Sequence, residues 1–476
     1  MSIQLFDRKI NIYICVALTL FFLSLFTYLY LPAQAVIWWL IFVLTLVIAC
    51  RNVTNGLLIM FAELFIGAQG HLFNWHLYGY DISLRIGIFI AVFIGFMVAI
   101  VKFKGQKWQQ PYIYYLFLGS LLIAIVKGLY FNSSAVTFFD FNNYLFLLIL
   151  PVVNYIYDRS FLQNVAKLMI AAVHVLALEA LLLFYAFAHQ LSWLDLGLLY
   201  KWVRDLRLYE ITHVVENYYR IFSPSQIYSV VVLILLTIML IYWQRRELVI
   251  KNNIYFWLSF FSAFVLLVIS FSRSNWLAAI IVLPFMLFVF YYQKLLSWQQ
   301  SIKVILIIGS SLALAILFIF ICSGSWQGNV LQNRIDNLTE EAASSRLAQL
   351  QPLLVAINNQ PFTGYGFGKM LTYQSADPRI QNSQNPQGNY TTSAFELGYL
   401  DIWLKIGLIG LIFYLGYLYS ILKKNLYLPD ILQKKAIYSL AFNYGLIALM
   451  IISIFSPYLN HPLGFGLILL AIVPHD

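Results

Sequence analysis

Residues 254–292 read IYFWLSFFSAFVLLVISFSRSNWLAAIIVLPFMLFVFYY, thirty-nine positions with one charged side chain, Arg273. Hydrocarbon offers no partner to a free backbone amide or carbonyl, so an apolar run of about 20 residues crosses it as a helix. The run has room for two such helices, 254–271 and 275–292, joined by the tight connection Ser272-Arg273-Ser274-Asn275-Trp276. Outward from this pair the pattern repeats. Further apolar helices are expected near 10–31, 36–50, 56–70, 82–101, 112–131, 138–157, 165–188, 225–243, 303–322, 397–420, 436–455 and 460–474. The expectation is therefore an all-α polytopic bundle of about fourteen spans.

Composition agrees. The 476 residues are 62% hydrophobic and 10% charged, with a mean hydropathy of +0.80, against roughly half apolar and a quarter charged for a soluble domain. The net charge of +10 is a topology signal rather than a nucleic-acid patch, because Lys and Arg collect in alternate breaks. These are Arg8 and Lys9; Arg51; Lys102, Lys104 and Lys107; Arg159 and Lys167; Arg245, Arg246 and Lys251; Lys294 and Lys303; and Lys423, Lys424, Lys434 and Lys435. The short breaks at 32–35, 132–137 and 456–462 carry none. By the positive-inside bias, both termini lie in the cytoplasm. The N-terminal apolar run before Ala33-Gln34-Ala35 is too long for a cleaved signal and reads as a retained first helix. Cys15, Cys50 and Cys322 lack metal-ligand spacing. Trp38, Trp39, Trp75, Trp108, Trp193, Trp298 and Trp326 stand at span ends, where amphipathic rings anchor.

Four regions follow: an N-terminal transmembrane bundle (1–222) ending in an external loop from about 189, central transmembrane helices (223–322), a large external loop (323–396) and C-terminal transmembrane helices (397–476). The loop at 323–396 far exceeds a connector. Its first half reads as a helix with Ser344 or Ser345 as cap and Leu347, Leu350, Leu354 and Ile357 on one face, ended by Pro361. Gln374 to Thr392, rich in Asn, Gln, Ser, Pro and Gly, reads as a mobile or substrate-ordered segment. Gly364-Tyr365-Gly366-Phe367-Gly368-Lys369 imitates a phosphate-cradling loop but lacks Walker spacing, since Thr363 stands where the first Gly belongs. The bland reading is a turn whose backbone approaches a ligand or another segment.

External arginines run against the charge bias. Arg220 precedes a span, Arg273 sits in the tight connection, and Arg346 opens the loop helix. Guanidinium forks onto phosphate oxygens and stays charged; the bland reading is snorkelling, or pairing with Glu210, Glu216, Glu340 or Glu341. Glu396 stands where the loop re-enters the membrane. The helix dipole favours an acid there, and the functional reading is a general base at the lipid–water boundary, with Asp401 as a secondary candidate. Glu63, His174 and Glu179 lie inside spans, where ionisable groups are costly, and Lys127 and Asp140 are placed to pair. The sequons at Asn132, Asn337 and Asn389 matter only in a secretory-pathway host.

The order Arg220…Pro224, Ser272-Arg273-Ser-Asn-Trp276-Leu277-Ala278, Arg346…Pro361-Phe362-Thr363-Gly364-Tyr365-Gly366, Glu396…Tyr399-Leu400…Lys405-Ile406-Gly407-Leu408-Ile409-Gly410 and Pro457-Tyr458-Leu459…Pro462 resembles the O-antigen polymerase and O-antigen ligase superfamily. The resemblance runs from about 215 to the C-terminus. It implies a membrane-embedded glycosyltransferase of the bacterial inner membrane that uses undecaprenyl-diphosphate-linked glycans, as donor and acceptor, on the periplasmic face and needs no nucleotide, metal or other cofactor. Arg220, Arg273 and Arg346 would engage the diphosphate, Glu396 would be the base, and Tyr399, Asp401, Tyr365 and Gly366 are further substrate-binding candidates. A chain-length regulator protein is a further implied partner, as is the lipid bilayer; no nucleic acid is expected. Ligases of the family typically carry His at the junction where this chain has Glu396. That departure favours polymerisation of repeat units of O-antigen, capsule or exopolysaccharide over a ligase or protein O-oligosaccharyltransferase. The rival class is a transporter using Glu63, His174 and Glu179, for which no two-fold internal symmetry is found. Thiol labelling of intact cells is expected to reach residues 323–396 from outside; cytosolic labelling would undo the shared compartment of the arginines and Glu396.

Overall fold

The computed structural model describes residues 6–102, 110–156, 159–245, 254–324, 341–375, 380–382, 384–426 and 436–472. Lys104, Lys107, Trp108, Arg246, Lys251, Trp326, Asn337, Glu340, Lys434 and Lys435 lie outside the described residues. The first half is α1 (Arg8–Tyr28), α2 (Leu31–Arg51), α3 (Val53–Ile66), α4 (Leu84–Lys102), α5 (Tyr112–Phe131), α6 (Ser134–Phe141), α7 (Leu150–Tyr155) and α8 (Arg159–Ala188). After α9 (Leu196–Asp205) come α10 (Ile227–Arg245), α11 (Ile254–Ile269), α12 (Arg273–Tyr292), α13 (Trp298–Ser323), α14 (Glu341–Asn359), α15 (Gly398–Leu426), α16 (Ala436–Ile452) and α17 (Pro462–Ile472). Three antiparallel hairpins decorate the ends: β1–β2 (Asn74–Leu77, Tyr80–Ser83), β3–β4 (Glu210–Val215, Tyr218–Phe222) and β5–β6 (Leu371–Gln374, Asn389–Thr392).

Among the described residues, nine helical stretches are long and apolar enough to cross a membrane, and five shorter apolar helices occupy the remaining expected positions. The chain is a multi-helix membrane protein. A count of fourteen crossings does not follow, since α17 has 11 residues and a crossing needs about 20. α10 is the axis of the bundle: its residues from Ile227 to Trp243 are all buried. α17 is likewise buried from Pro462 to Ile472. α1, α2 and α13 are peripheral, with long exposed apolar faces of the kind lipid covers.

Several expectations are revised. The helix expected at 138–157 is split into α6, a 3-10 stretch Asn142–Ile149 and α7. Asn142 and Asn143 offer side-chain alternatives to the helical ladder, and Pro151 lacks a donor. The loop at 189–222 is ordered as α9 and the β3–β4 hairpin. α14 already runs through Ser344 and Ser345, so neither is its cap, and it stops at Asn359 before Pro361. Its buried side chains are Gln349, Leu353, Ala356 and Ile357, while Leu347 and Leu354 face outward. Gln374 to Thr392, where it is described, connects and completes the β5–β6 hairpin. The Asn382 Oδ1 accepts from the Gln384 and Asn385 amides at 2.9 and 3.1 Å, and Asn385 Nδ2 donates to the Asn389 carbonyl at 3.0 Å.

The feature that positions the site is a break in α15. Gly407 has φ 73°, ψ 174° inside an otherwise helical run, a backbone region that is essentially glycine-only. Chain 361–368 fills the break. The Tyr365 and Gly366 amides donate to the Leu404 and Lys405 carbonyls at 2.8 and 3.0 Å, and the Leu408 and Ile409 amides donate to the Pro361 and Phe362 carbonyls at 2.8 and 3.3 Å. The glycine-rich stretch thus approaches another chain segment, as its spacing allowed. Gly366 also lies against α5, where a Cβ would stand 2.5 Å from the Gly128 nitrogen. Gly407→Ala would strain the backbone and drive a Cβ into the Phe362 carbonyl. A loss of at least about 2 kcal/mol is expected, seen as a lower thermal midpoint of the purified protein in detergent.

Candidate active site

The break makes a half-helix of residues 398–406, and Glu396 stands just before its first turn. Helix α14 lies over it: Leu353, Ala356 and Ile357 pack with Phe395 and Leu404 in a small core separate from the main one. Two side chains set the register between them. Gln349 Oε1 accepts from the Glu396 amide at 2.9 Å while Gln349 Nε2 donates to the Tyr373 hydroxyl at 3.1 Å. Trp403 Nε1 donates to the Pro361 carbonyl at 2.8 Å. One helical turn before Gln349, Arg346 meets Glu396, Nε to Oε2 2.8 Å, with 30% and 39% of the two side chains exposed. The Arg346 N–H is not aimed at that oxygen, so the contact is an ion pair rather than an aligned hydrogen bond.

Arg220 arrives from a different element. It sits on β4 opposite Thr212, donates from Nε to the Ser270 carbonyl at 3.0 Å and stacks on the Phe222 ring, Cζ 4.6 Å from its centroid. Burial pushes its guanidinium below the ordinary value and Glu210 opposes that shift; Arg346 and Glu396 also act on it. Ser270 belongs to the tight connection that also carries Arg273, the first residue of α12. That connection is closed by Trp276 Nε1 donating to the Leu267 carbonyl at 2.6 Å. So Arg220 and Arg273 flank one turn, and Arg346 and Glu396 form one pair. Asn275, buried in the first turn of α12, has neither side-chain polar atom paired among the described residues.

The other expected site residues lie deeper. Asp401 is 1% exposed, with Lys405 Nζ at 2.7 Å and Asn460 Nδ2 at 2.5 Å on its carboxylate. Lys405 also reaches Asp140 at 2.6 Å, and Asp140 accepts from the Gly368 amide at 2.8 Å. The Tyr399 hydroxyl donates to the Met450 carbonyl at 2.7 Å. Tyr365 carries the Lys369 ammonium over its ring at 4.5 Å. The expected Lys127–Asp140 pair is not formed: Lys127 instead donates to Thr363 Oγ1 at 3.1 Å and to the Gly364 carbonyl. Each partner satisfies the 363–368 backbone instead. Lys405 was legible, being four residues from Asp401 on one helix face; Gln349 left no signal.

The intramembrane ionisable groups are engaged in helix contacts. Glu63 takes a bidentate hydrogen-bonded pair from Arg85 at 2.8 and 3.1 Å. His174 lies between Ser259 and Ser262, 3.0 Å from each. Glu179 accepts from the Tyr209 hydroxyl at 2.8 Å. These groups are dispersed rather than chained into a path. A contrast follows. Glu63→Gln leaves buried Arg85 uncompensated and is expected to cost about 3–5 kcal/mol. Glu396→Gln breaks a partly exposed pair worth about 0.2–1 kcal/mol. Thermal unfolding of the two purified variants checks the difference.

No curated protein and no solved structure matches the chain significantly. Residues 258–415 match the family model described as O-antigen ligase, an interval that contains Arg273, Arg346, Glu396 and Gly407 and leaves out Arg220. Over this stretch, about a third of its length, the chain is similar to that family.

Proposed function

We propose that the protein polymerises lipid-diphosphate-linked oligosaccharide repeat units at the rim where Arg220, Arg273, Arg346 and Glu396 gather. The observation that carries the reading is the Arg346–Glu396 contact at 2.8 Å, a cation and an acid brought together by two segments fifty residues apart. An apolar groove of about 490 Å3 between α11, α12 and α13 supports it. Its lining includes Phe271 and Trp276, on either side of Arg273, and Tyr218, two residues from Arg220. A branched polyprenyl tail fits such a groove, with its diphosphate at the arginines.

In the mechanism, a hydroxyl of the acceptor glycan attacks the anomeric carbon of the donor. The new glycosidic bond forms as the bond to the diphosphate oxygen breaks, with inversion. The hydroxyl proton passes to Glu396, and the electron pair leaves on the lipid diphosphate. Arg346 exchanges its ion pair with Glu396 for the phosphate oxygens, which frees the carboxylate to take the proton. Preorganised guanidinium groups stabilise the charge that develops on the leaving group. Both lipid substrates enter from the bilayer. The reading includes fourteen crossings with cytoplasmic termini, an undecaprenyl carrier in the bacterial inner membrane, the periplasmic face as reaction side, and a chain-length regulator as partner.

A ligase that transfers finished glycan is the second reading, favoured by the description of the matching family; Glu396 at the loop–helix junction favours the polymerase. With purified protein in nanodiscs and a lipid-linked repeat unit, Glu396→Gln is expected to lose about 10²–10⁴ in turnover, and unchanged polymerisation removes it as the base. Arg346→Ala is expected to lower turnover more than substrate affinity. A deletion strain distinguishes the readings: single repeat units capped on lipid indicate a polymerase, long unattached chains a ligase.

A further inference from the structure

Residues 347–368 are twenty-two in a row without a charge, bracketed by Arg346 and Lys369, although they lie in the long loop between α13 and α15. Their inner face packs on the half-helix. Their outward side is uncharged and carries four exposed apolar side chains, Leu347 at 70%, Leu354 at 47%, Val355 at 58% and Phe362 at 61%, among the exposed polar residues Gln351, Asn358, Asn359, Gln360 and Thr363. Depth can be measured from two helices. Phe362 is bonded through its carbonyl to Ile409, beside Gly407. Gly407 stands nine residues into α15, about 14 Å along the helix at 1.5 Å per residue. The Phe367 amide donates to the Ala124 carbonyl at 3.1 Å, seven residues from the end of α5 and so about 10 Å inside it. Half of a hydrocarbon core is about 15 Å. With the start of α15 and the end of α5 taken at the headgroups, both rulers put 361–368 inside the hydrocarbon, and Phe362 adjoins the exposed apolar face of α15 carried by Ile409 and Ile412.

We propose that α14 and the segment after it form a re-entrant wedge. The outward face of Leu347, Leu354, Val355 and Phe362 is seated in the lipid leaflet on its own side of the membrane. The occupant is the bilayer, because the face is continuous with that of a spanning helix, charge-free throughout, and bonded at its far end to backbone at membrane depth. Backbone there is tolerated where protein satisfies it, which the bonds to α15 and α5 do. The two bracketing cations then sit at headgroup level, with long side chains able to reach the interface. Arg346 is thereby held at the height of lipid phosphates.

The test needs no glycan substrate, so it stands apart from the reaction proposed above. In the full chain with Cys15, Cys50 and Cys322 replaced by alanine, single cysteines at 347, 354, 355 and 362 are labelled with a bimane fluorophore. The protein is placed in nanodiscs of phosphatidylcholine brominated in the acyl chains, with a label at exposed Tyr78 of the β1–β2 hairpin as aqueous control. The expected result is quenching by bromolipid at 347, 354, 355 and 362, weakest at 347 and strongest at 362, and quenching by iodide at 78 alone. Iodide reaching 354, 355 and 362 as it reaches 78 would overturn the proposal. Protection from both quenchers would put protein there instead and would overturn it equally. The replaced side chains are exposed, so their packing is not at stake.

Discussion

A helix broken inside a membrane leaves amides and carbonyls where water does not reach, and the cost of leaving them unpaired is several kcal/mol each. At Gly407 the cost is met by a strand-like stretch of the long loop: two carbonyls before the break and two amides after it bond to 361–366. This pairing fixes everything above it. It shortens the first part of α15 to a half-helix that starts two residues after Glu396, anchors the far end of α14, and holds the loop against α5. Without the break, Glu396 would cap one long helix with no reason to face an arginine from α14.

The polar groups below the rim follow from the same constraint. Asp140, Lys405, Asp401 and Asn460 are joined in sequence through contacts of 2.5–2.8 Å. They tie α6, the half-helix before the break and the turn before α17 to the Gly368 amide. Lone charges in such a place are costly, but paired and hydrogen-bonded charges hold a geometry. The layer is best understood as the floor of the site. Arg346 and Glu396, by contrast, form a partly exposed pair.

The same distinction separates the enzyme reading from a transporter. Glu63, His174 and Glu179 are costly residues in spans, and sequence alone cannot tell a satisfied residue from a proton carrier. In the fold each finds a partner from another element: Arg85 of α4 beyond the β1–β2 hairpin, two serines of α11, and Tyr209 beyond α9. Each contact is separate from the others among the described residues.

The sequence by itself determined the membrane bundle and the position of nearly every apolar helix, and it singled out Arg346 and Glu396, which the fold brings together. Those are local properties: hydropathy reports whether a segment tolerates lipid, and a scarce arginine or a junction acid stands out wherever it lies. Tertiary structure alone decided that Lys127 and Asp140 serve the 363–368 backbone rather than each other, that Asp401 is buried in a network, and that α14 turns Gln349 rather than Leu347 inward. It also decided that the glycine-rich stretch fills a helix break. Each of these depends on which segment meets the freed backbone at Gly407, a pairing between residues about forty apart that no periodicity or composition encodes.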